Sequence, residues 1–201
     1  MPRYRRNDPY INQAGVYINR LGLDNPSHIQ EKETELLQNA KSRFYAQSFA
    51  NHRFGENDVQ VIHYVWLKPL FSWAGKYRIV DLGTREGPWL DAQFIDEQMK
   101  DLHKKMQRMT PFTPDMPMDT LIEYTTHIHA DFMRAHPFRD GNKRCIGLLC
   151  DMLLDQAGRP PKMQHLTDPT IHKAYIKALR TLAESGNYAG ALDVFSHVLG
   201  K

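Results

Sequence analysis

The length, composition and charge of the chain set outer bounds on its class. With 201 residues, 41% of them hydrophobic, the chain is long enough to bury the core of a single domain spanning 1–201. Its formal net charge of +3 at pH 7 is too small to indicate a nucleic-acid partner. No long apolar run follows the basic N-terminal tip, so we expect no signal peptide, no membrane association and a loose tail over 1–14.

Helical periodicity dominates the N-terminal part of the chain. Over 28–50, apolar residues are spaced as on one face of a long helix, with charged residues between them. Ser27 and Gln30 fit a capping box at the start of this helix. Asp58 fits the cap of a second helix, whose apolar face extends to Leu70. The sequence therefore predicts two amphipathic helices in this part.

Residues 77–91 break the helical periodicity. Tyr77-Arg78-Ile79-Val80 favours a strand, 83–88 is rich in turn residues, and Trp89-Leu90 favours a strand again. The pattern predicts a β-hairpin. On the residues alone, this hairpin is either a structural element or a recognition surface.

The remainder of the chain returns to helix. Helical spacing predicts helices over 92–109, 168–185 and 188–199. A loop with three prolines occupies 110–117. Another helix follows this loop and ends near Ala135, and a short connection then leads into a further helix. The predicted fold class is all-α.

Two cysteines lie in the apolar helix that follows this connection. Cys145 and Cys150 are five residues apart, which places them about 140° apart around a helix axis, so they cannot form a disulfide. Unpaired buried thiols are typical of a reducing compartment. We therefore interpret both as core residues of a cytoplasmic protein.

The stretch richest in chemistry is His136-Pro137-Phe138-Arg139-Asp140-Gly141-Asn142-Lys143-Arg144. The proline biases His136 away from helical dihedrals, so the imidazole should end one helix just before another begins. A helix start offers free N–H groups and a positive dipole end to an anion. A carboxylate at such a site indicates a hard cation, Mg²⁺ above all, because carboxylate and phosphate oxygens are its usual ligands. The stretch therefore predicts phosphate chemistry.

These nine residues resemble the signature of the Fic-domain family, His-Pro-Phe-x-Asp/Glu-Gly-Asn-Gly/Lys-Arg. Tyr17-Ile18-Asn19-Arg20-Leu21-Gly22-Leu23 resembles the entry segment of the family. Trp73-Ala74-Gly75-Lys76-Tyr77-Arg78 resembles its Trp-Ala-Gly-x-x-Arg segment. The resemblance covers a core of about 15–190. It implies an all-α Fic helical bundle with a small β-hairpin flap over the active site.

The resemblance also implies a role for each residue of the motif. His136 would be the general base that takes the proton from a Ser, Thr or Tyr hydroxyl of a target protein. Asp140 would hold the cofactor Mg²⁺. The phosphates would be bound by Gly141, Asn142, Lys143 and Arg144. The implied reaction is transfer of AMP from ATP to the hydroxyl, which depends on positioning and charge stabilisation.

The predicted hairpin acquires a function through the same resemblance. It corresponds to the flap that aligns a segment of the target protein by β-strand pairing. The residues implied in this docking are Ile79, Val80, Asp81, Leu82, Gly83 and Thr84.

Two positions depart from the usual pattern of AMP-transferring members. Gly147 stands where many of them carry a second arginine that grips the terminal phosphates, and Lys143 stands where most have glycine. The Gly-Asn-Lys-Arg version is found in the Doc-like branch, whose members transfer phosphate. A Doc-like protein kinase therefore remains an alternative, as do a different nucleotide donor and a non-catalytic domain that binds a nucleotide or a partner.

The mode of control is not apparent from the sequence. Family members are often inhibited by a helix with the pattern Ser/Thr-x-x-x-Glu-Gly/Asn, and two segments match it only in part. The segment that begins at Ser27 ends in Lys32, and the one that begins at Thr34 has Gln38 in place of glutamate. We therefore expect inhibition by a separate small antitoxin or by another route. Delivery of the protein into another cell also stays open.

Two further features give weaker signals. His127, His129 and His136 could suggest a transition-metal site, but the first two are two residues apart on a helix and point in different directions. Arg139 occupies the variable position of the motif, and we interpret it as a solvated cation.

Overall fold

The computed structural model describes residues 8–84 and 87–200. Over these ranges the chain forms seven α-helices and a pair of two-residue strands. Two 3₁₀ turns, Ala92–Phe94 and Met163–Thr167, precede α3 and α6. The elements are α1 Pro26–Tyr45, α2 Glu56–Leu67, β1 Gly83–Thr84, β2 Gly87–Pro88, α3 Ile95–Met109, α4 Met118–Ala135, α5 Asn142–Gln156, α6 Pro169–Ser185 and α7 Ala189–Leu199. The predicted all-α class is confirmed.

The helix starts follow from local capping. The side chain of Asn25 accepts a hydrogen bond from the Ser27 N–H (2.8 Å), and Pro26 occupies the first turn of α1. Asp168 and Pro169 begin α6 in the same way. The predicted capping box at Ser27 is therefore wrong, because the cap lies two residues earlier.

Helices α4 and α5 form the centre of the bundle. Helix α4 packs against α3, α5, α6 and α7, while α5 also packs against α2 and α1. The periodic apolar positions that predicted these helices, including Leu121, Ile128, Phe132 and Leu149, are fully buried. The short connection between α4 and α5 therefore lies on a rigid support.

A hairpin flap of the predicted length is not seen over 77–91. Among the described residues of this segment, the paired strands are β1 and β2, antiparallel, with Gly83 opposite Pro88 and Thr84 opposite Gly87. Tyr77 instead makes an isolated bridge with Phe138. The predicted turn residues Arg85 and Glu86 lie outside the described residues. The strand prediction failed because its backbone is drawn towards the end of α4 by contacts distant in sequence.

The prediction that both cysteines are unpaired core residues is confirmed. Cys145 and Cys150 are buried free thiols in α5. Burial raises the pKa of both thiols, so neither is a reactive thiolate at neutral pH. Among the described residues, no helix has the length and apolar character needed to span a membrane.

Acid should destabilise this fold through its buried histidines. Burial lowers the pKa of His63, His129 and His136 each to about 3. An unfolded histidine binds its proton at about pH 6.5. The stability linked to these groups is therefore fully present above pH 6.5 and is lost as the pH falls from there towards 3. For one such group, the loss is about 1.4 kcal/mol per pH unit.

We expect His129→Phe to reduce this acid sensitivity. His129 is fully buried between the rings of Tyr175 and Phe195, and neither ring nitrogen has a hydrogen-bond partner among the described residues. Urea denaturation at pH 8 and pH 5 should show a smaller loss of stability in the variant, by about 2 kcal/mol. His28→Phe, at an exposed position of α1, should behave as wild type. An equal acid loss in all three proteins would contradict the assignment.

Candidate active site

The connection from α4 to α5 begins with a strained residue. His136 ends α4 with φ 46° and ψ 55°, and it is the one non-glycine residue with positive φ in the described ranges. Its N–H still donates to the Phe132 carbonyl (2.9 Å). A left-handed conformation is costly for a residue with a side chain and persists only where the surroundings enforce it. The prediction that Pro137 drives this residue out of helical dihedrals is confirmed.

The surroundings of the His136 imidazole keep it neutral. Its ring stacks on the Trp89 indole, with centroids 4.0 Å apart and planes 9° from parallel. Burial and the nearby Arg78 charge lower the pKa of His136 to about 3, and the Met133 backbone opposes this only in part. The buried Nδ1 has no hydrogen-bond partner among the described residues, so no contact there holds a second proton on the ring. At neutral pH the imidazole can therefore accept a proton.

Arg78 holds His136 in place, a role that was not predicted from the sequence. Its guanidinium is buried and donates to the carbonyls of His136 (2.9 Å), Val80 (2.9 Å) and Leu90. The main-chain N–H of Arg78 donates to the Pro137 carbonyl (2.8 Å). One side chain thus joins the end of α4 to both sides of the segment predicted as a flap. The Trp-Ala-Gly-x-x-Arg resemblance contains this arginine but does not reveal its partners.

Phe138 and Asn142 close the loop. The Phe138 ring is fully buried and stacks on the His63 imidazole at 3.8 Å. The Asn142 side chain accepts from the Phe138 N–H and donates to the Phe138 carbonyl, both at 2.8 Å. Both ends of this amide thus bond the main chain of Phe138, so the Asn142 side chain fixes the loop, and its main-chain N–H lies in the first turn of α5.

Gly141 precedes α5 in a conformation that favours glycine. Its φ is 76°, and a Cβ there would lie 2.6 Å from the Trp66 ring. Helix α5 has no side-chain cap. The first-turn N–H groups of Asn142, Lys143 and Arg144 therefore lack intrahelical acceptors and face outward from the helix start. This is the arrangement that favours an anion.

Asp140 fits the role of a single ligand to Mg²⁺. Its side chain is partly exposed, and its Oδ1 accepts from the Gly141 N–H (2.6 Å). Among the described residues, no group of three or more His, Cys, Asp or Glu side chains could hold a metal alone. Mg²⁺ in nucleotide sites usually binds one or two carboxylates and takes its other ligands from phosphate and water. The chemistry of the one carboxylate therefore fits the ion, provided that a nucleotide is bound.

Arg144 is shared between two carboxylates. Its Nη1 donates to Glu33 Oε2 of α1 at 2.8 Å, and its Nη2 lies 3.6 Å from Asp140 Oδ1. The guanidinium also lies over the Trp66 ring, 4.5 Å from its centroid. Burial raises the pKa of Glu33, and the charge of Arg144 opposes that shift. An incoming phosphate competes with Glu33 for this arginine.

Glu33 was not predicted from the sequence as a site residue. The partial inhibitory patterns begin at Ser27 and Thr34, and neither puts a glutamate at position 33 in its required place. The pair with Arg144 spans 111 residues of sequence, and only the packing of α1 on the start of α5 creates it.

Lys143 turns towards α6, and Arg139 is buried, contrary to its prediction. The Lys143 amine contacts the Leu166 carbonyl (3.1 Å) and His172 Nδ1 (3.2 Å), on the side of α6. No ion pair joins it to Asp140 in the part of the chain that the structure describes. Arg139 was expected to be solvated, but it is 2% exposed and forms an ion pair with Asp8. The expectation failed because the segment after residue 8 packs over the loop.

His63 is a second residue that sequence reasoning missed. Its Nδ1 accepts from the Gly75 N–H (2.8 Å), so its proton resides on Nε2, which donates to the Asp140 carbonyl (3.1 Å). This imidazole therefore ties the Trp-Ala-Gly segment to the motif loop.

The three histidines weighed as a metal site do not meet. His127 stacks on Tyr188, whereas His129 lies against Tyr175 and Phe195. His136 faces Trp89 instead.

The sequence profile of the Fic/DOC family matches residues 53–154, which is half of the chain. The chain therefore belongs to the Fic/DOC family. This match includes the whole loop, all of α4, and α5 as far as Leu154. The resemblance inferred from the motif is confirmed.

Similar proteins come from Bartonella. VbhT of Bartonella schoenbuchensis, named a protein adenylyltransferase, is 22% identical over 153 residues, which is 76% of this chain and 32% of VbhT. The chain thus spans about a third of that relative. The structure of BepC from Bartonella tribocorum with bound AMPPNP superposes with a TM-score of 0.76 at 18% identity, covering 94% of this chain and 95% of BepC.

An effector Fic domain from Bartonella sp. AR 15-3 gives a TM-score of 0.79 at 14% identity, over 98% of this chain and 93% of that one. At such identities these structures show that the fold is shared. They do not by themselves assign an activity to this chain.

We expect His63→Phe to destabilise the protein at pH 8 by about 2 kcal/mol, because the Gly75 N–H and the Asp140 carbonyl lose their partner. His129→Phe is the matched control, since the same change there removes no hydrogen bond. Urea denaturation should show the control unchanged or more stable. Equal losses in both variants would show that ring packing, not hydrogen bonding, is the contribution of His63.

Proposed function

We propose that the chain is a protein adenylyltransferase that moves AMP from ATP to a Ser, Thr or Tyr hydroxyl of a target protein. The observation that carries the proposal is the position of His136, a neutral imidazole held in a strained conformation next to the uncapped start of α5. A proton acceptor next to a helix start that favours anions supports this chemistry. The name of VbhT, a protein adenylyltransferase, supports the same proposal.

The reaction follows from these positions. The neutral imidazole of His136 takes the proton of the target hydroxyl as the hydroxyl oxygen bonds to the α-phosphorus of ATP. The bond from that phosphorus to the oxygen bridging the β-phosphate breaks, and diphosphate leaves with the electron pair. The free N–H groups at the start of α5 and the Arg144 guanidinium stabilise the charge on the phosphates. Mg²⁺, which Asp140 would hold, supplies further neutralisation of that charge.

The target segment would dock along residues 79–84. Arg78 fixes the Val80 and Leu90 carbonyls relative to the end of α4, so this segment has a defined distance to His136. Ile79 is 72% exposed and can contact a partner. Strand pairing here would place a target hydroxyl near the imidazole. The docking residues are those named above, Ile79, Val80, Asp81, Leu82, Gly83 and Thr84.

A Doc-like protein kinase is the second candidate. Gly147 favours it because the second arginine, which grips the terminal phosphates in many AMP-transferring members, is missing. Lys143 favours it because it gives the Gly-Asn-Lys-Arg version found in the Doc-like branch. The same His136 would then direct the hydroxyl to the γ-phosphorus. A third hypothesis, nucleotide binding without turnover, is the least favoured, because the motif residues needed for the chemistry are all present in the sequence.

Control and location belong to the same proposal. A separate small antitoxin could cover the site, and Glu33 offers a device within the chain because it already occupies Arg144. The Bep relatives are described as VirB-translocated effectors. We therefore propose action in a cytoplasm, either that of the producing cell or that of a cell into which the protein is delivered.

Replacing the base should abolish transfer. We expect His136→Ala to lower the modification of lysate proteins by at least about 100-fold, because a general base contributes that much. The measurement is mass spectrometry of a lysate incubated with the protein, Mg²⁺ and ATP. His28→Ala, at an exposed position, should retain activity. Undiminished AMP transfer by a folded His136→Ala protein would refute the role, and a gain of phosphate alone would favour the kinase.

Asp140→Asn should raise the Mg²⁺ concentration needed for half-maximal transfer by about tenfold, because a neutral amide binds the ion more weakly than a carboxylate. A Mg²⁺ titration of the transfer rate at fixed ATP checks this. An unchanged Mg²⁺ requirement would mean that the ion is held without Asp140.

A further inference from the structure

A cavity of about 210 Å³ lies between α1, α5 and the 3₁₀ turn 163–167. Arg144, Gly147 and Asp151 line it from α5, and Leu37 and Lys41 line it from α1. The residues on α5 recur every three or four positions, so the cavity runs about 10 Å along the helix from its first turn. Lys143 and Arg144 of the motif also reach this space, whereas its α1 side lies outside the motif.

The cavity is open because position 147 carries no side chain. A Cβ at Gly147 would meet the Met163 Cβ at 3.5 Å, which is ordinary contact. The backbone there could therefore accept a larger residue, and its side chain would occupy the cavity. Glycine at this position is not required by the backbone conformation, since its φ is negative within α5.

Cations outnumber anions around the cavity. Lys41, Lys143 and Arg144 line it, against the single carboxylate of Asp151. That carboxylate is buried, and its Oδ1 already accepts the N–H groups of Lys162 (2.8 Å) and Met163 (3.0 Å). The surplus of positive charge favours an anionic occupant.

The three cations are not equally committed. Arg144 is bonded to Glu33, and Lys143 contacts the Leu166 carbonyl and His172. Lys41 is half-buried and lies close enough to Asp151 to lower the pKa of that carboxyl, although burial dominates and raises it. Lys41 is therefore the cation with the most freedom to turn to a ligand.

The cavity is continuous with the candidate active site. Arg144 belongs to both, since it lines the cavity and lies 3.6 Å from Asp140. On α1, Glu33, Leu37 and Lys41 follow at intervals of four, so they share one face. Glu33 marks the active-site end of that face through its bond to Arg144, and Lys41 lies about 12 Å further along the helix.

We propose that this cavity receives the outer phosphates of the nucleoside triphosphate and that Lys41 contacts them, in place of an arginine from position 147. The inference rests on the proposed function, because it assigns the leaving diphosphate of that reaction to the cavity. It makes Lys41 a residue that determines specificity for a triphosphate over a monophosphate.

The test is calorimetric titration of AMP, ADP and ATP, each with Mg²⁺, into wild-type protein and into Lys41→Met. Methionine keeps the length of the stem and removes the charge. ATP affinity should fall about tenfold, while AMP affinity changes by less than twofold, because a charge-assisted contact to the outer phosphates is lost. Lys100→Met, on an exposed face of α3, should bind all three nucleotides as wild type does.

Gly147→Leu gives a second and independent variant. Leucine fills the cavity without charge, so it should weaken ATP and ADP and leave AMP within twofold. If Lys41→Met and Gly147→Leu both bind ATP like wild type, the proposal is wrong. If Lys41→Met loses stability in urea but keeps its ATP affinity, Lys41 serves only Asp151, and the proposal is equally refuted.

The failure of this inference can be told from failure of the proposed function. Wild-type protein that transfers AMP, together with a Lys41→Met variant that binds ATP equally well, would refute the cavity assignment alone. Wild-type protein that modifies no hydroxyl, together with a selective loss of ATP in Lys41→Met, would support the cavity and refute the transferase.

Discussion

The site depends on two hydrogen bonds between the Asn142 side chain and the main chain of Phe138. They close the loop over 138–142, which directly follows the left-handed residue His136 and Pro137. Phe138 is buried against His63, and the Asp140 carbonyl accepts a hydrogen bond from the same imidazole. A loop fixed at both ends in this way presents the base and the helix start in one geometry, which is what positional catalysis requires.

Charge around the loop is balanced rather than simply positive. The Arg144 guanidinium contacts both Glu33 and Asp140, while the Arg78 guanidinium donates hydrogen bonds to main-chain carbonyls. Both arginines therefore have roles without a ligand. A bound nucleotide must redistribute the contacts of Arg144, whereas those of Arg78 can persist. In our proposal, the uncapped first turn of α5 and Lys41 stabilise the negative charge that the nucleotide phosphates bring.

The sequence predicted what local chemistry dictates. The helices followed from apolar periodicity, and the break at His136 followed from the proline after it. The residues brought together by packing were not predicted, because Glu33, His63 and Arg78 meet the loop across 111, 77 and 58 residues. Asn142 shows the limit within the motif itself. The motif predicted that Asn142 belongs to the site, but it did not predict that the side chain bonds the main chain of Phe138.

The failed hairpin has the same origin. Residues 77–80 have the composition of a strand, but the Arg78 guanidinium binds carbonyls on both sides of the segment and at the end of α4. Among the described residues of this segment, strand pairing is then confined to β1 and β2. Strand propensity reports how a residue fits a pleated surface, and here tertiary contacts override it.

The most direct test of nucleotidyl transfer is to follow two labels of ATP separately. The protein would be incubated with a lysate and with ATP labelled either at the α- or at the γ-phosphorus, and protein-bound label would be counted. Attack at the α-phosphorus beside the start of α5 predicts that only the α-label is retained on protein. Retention of the γ-label without the α-label would contradict it and would place the attack at the outer phosphate.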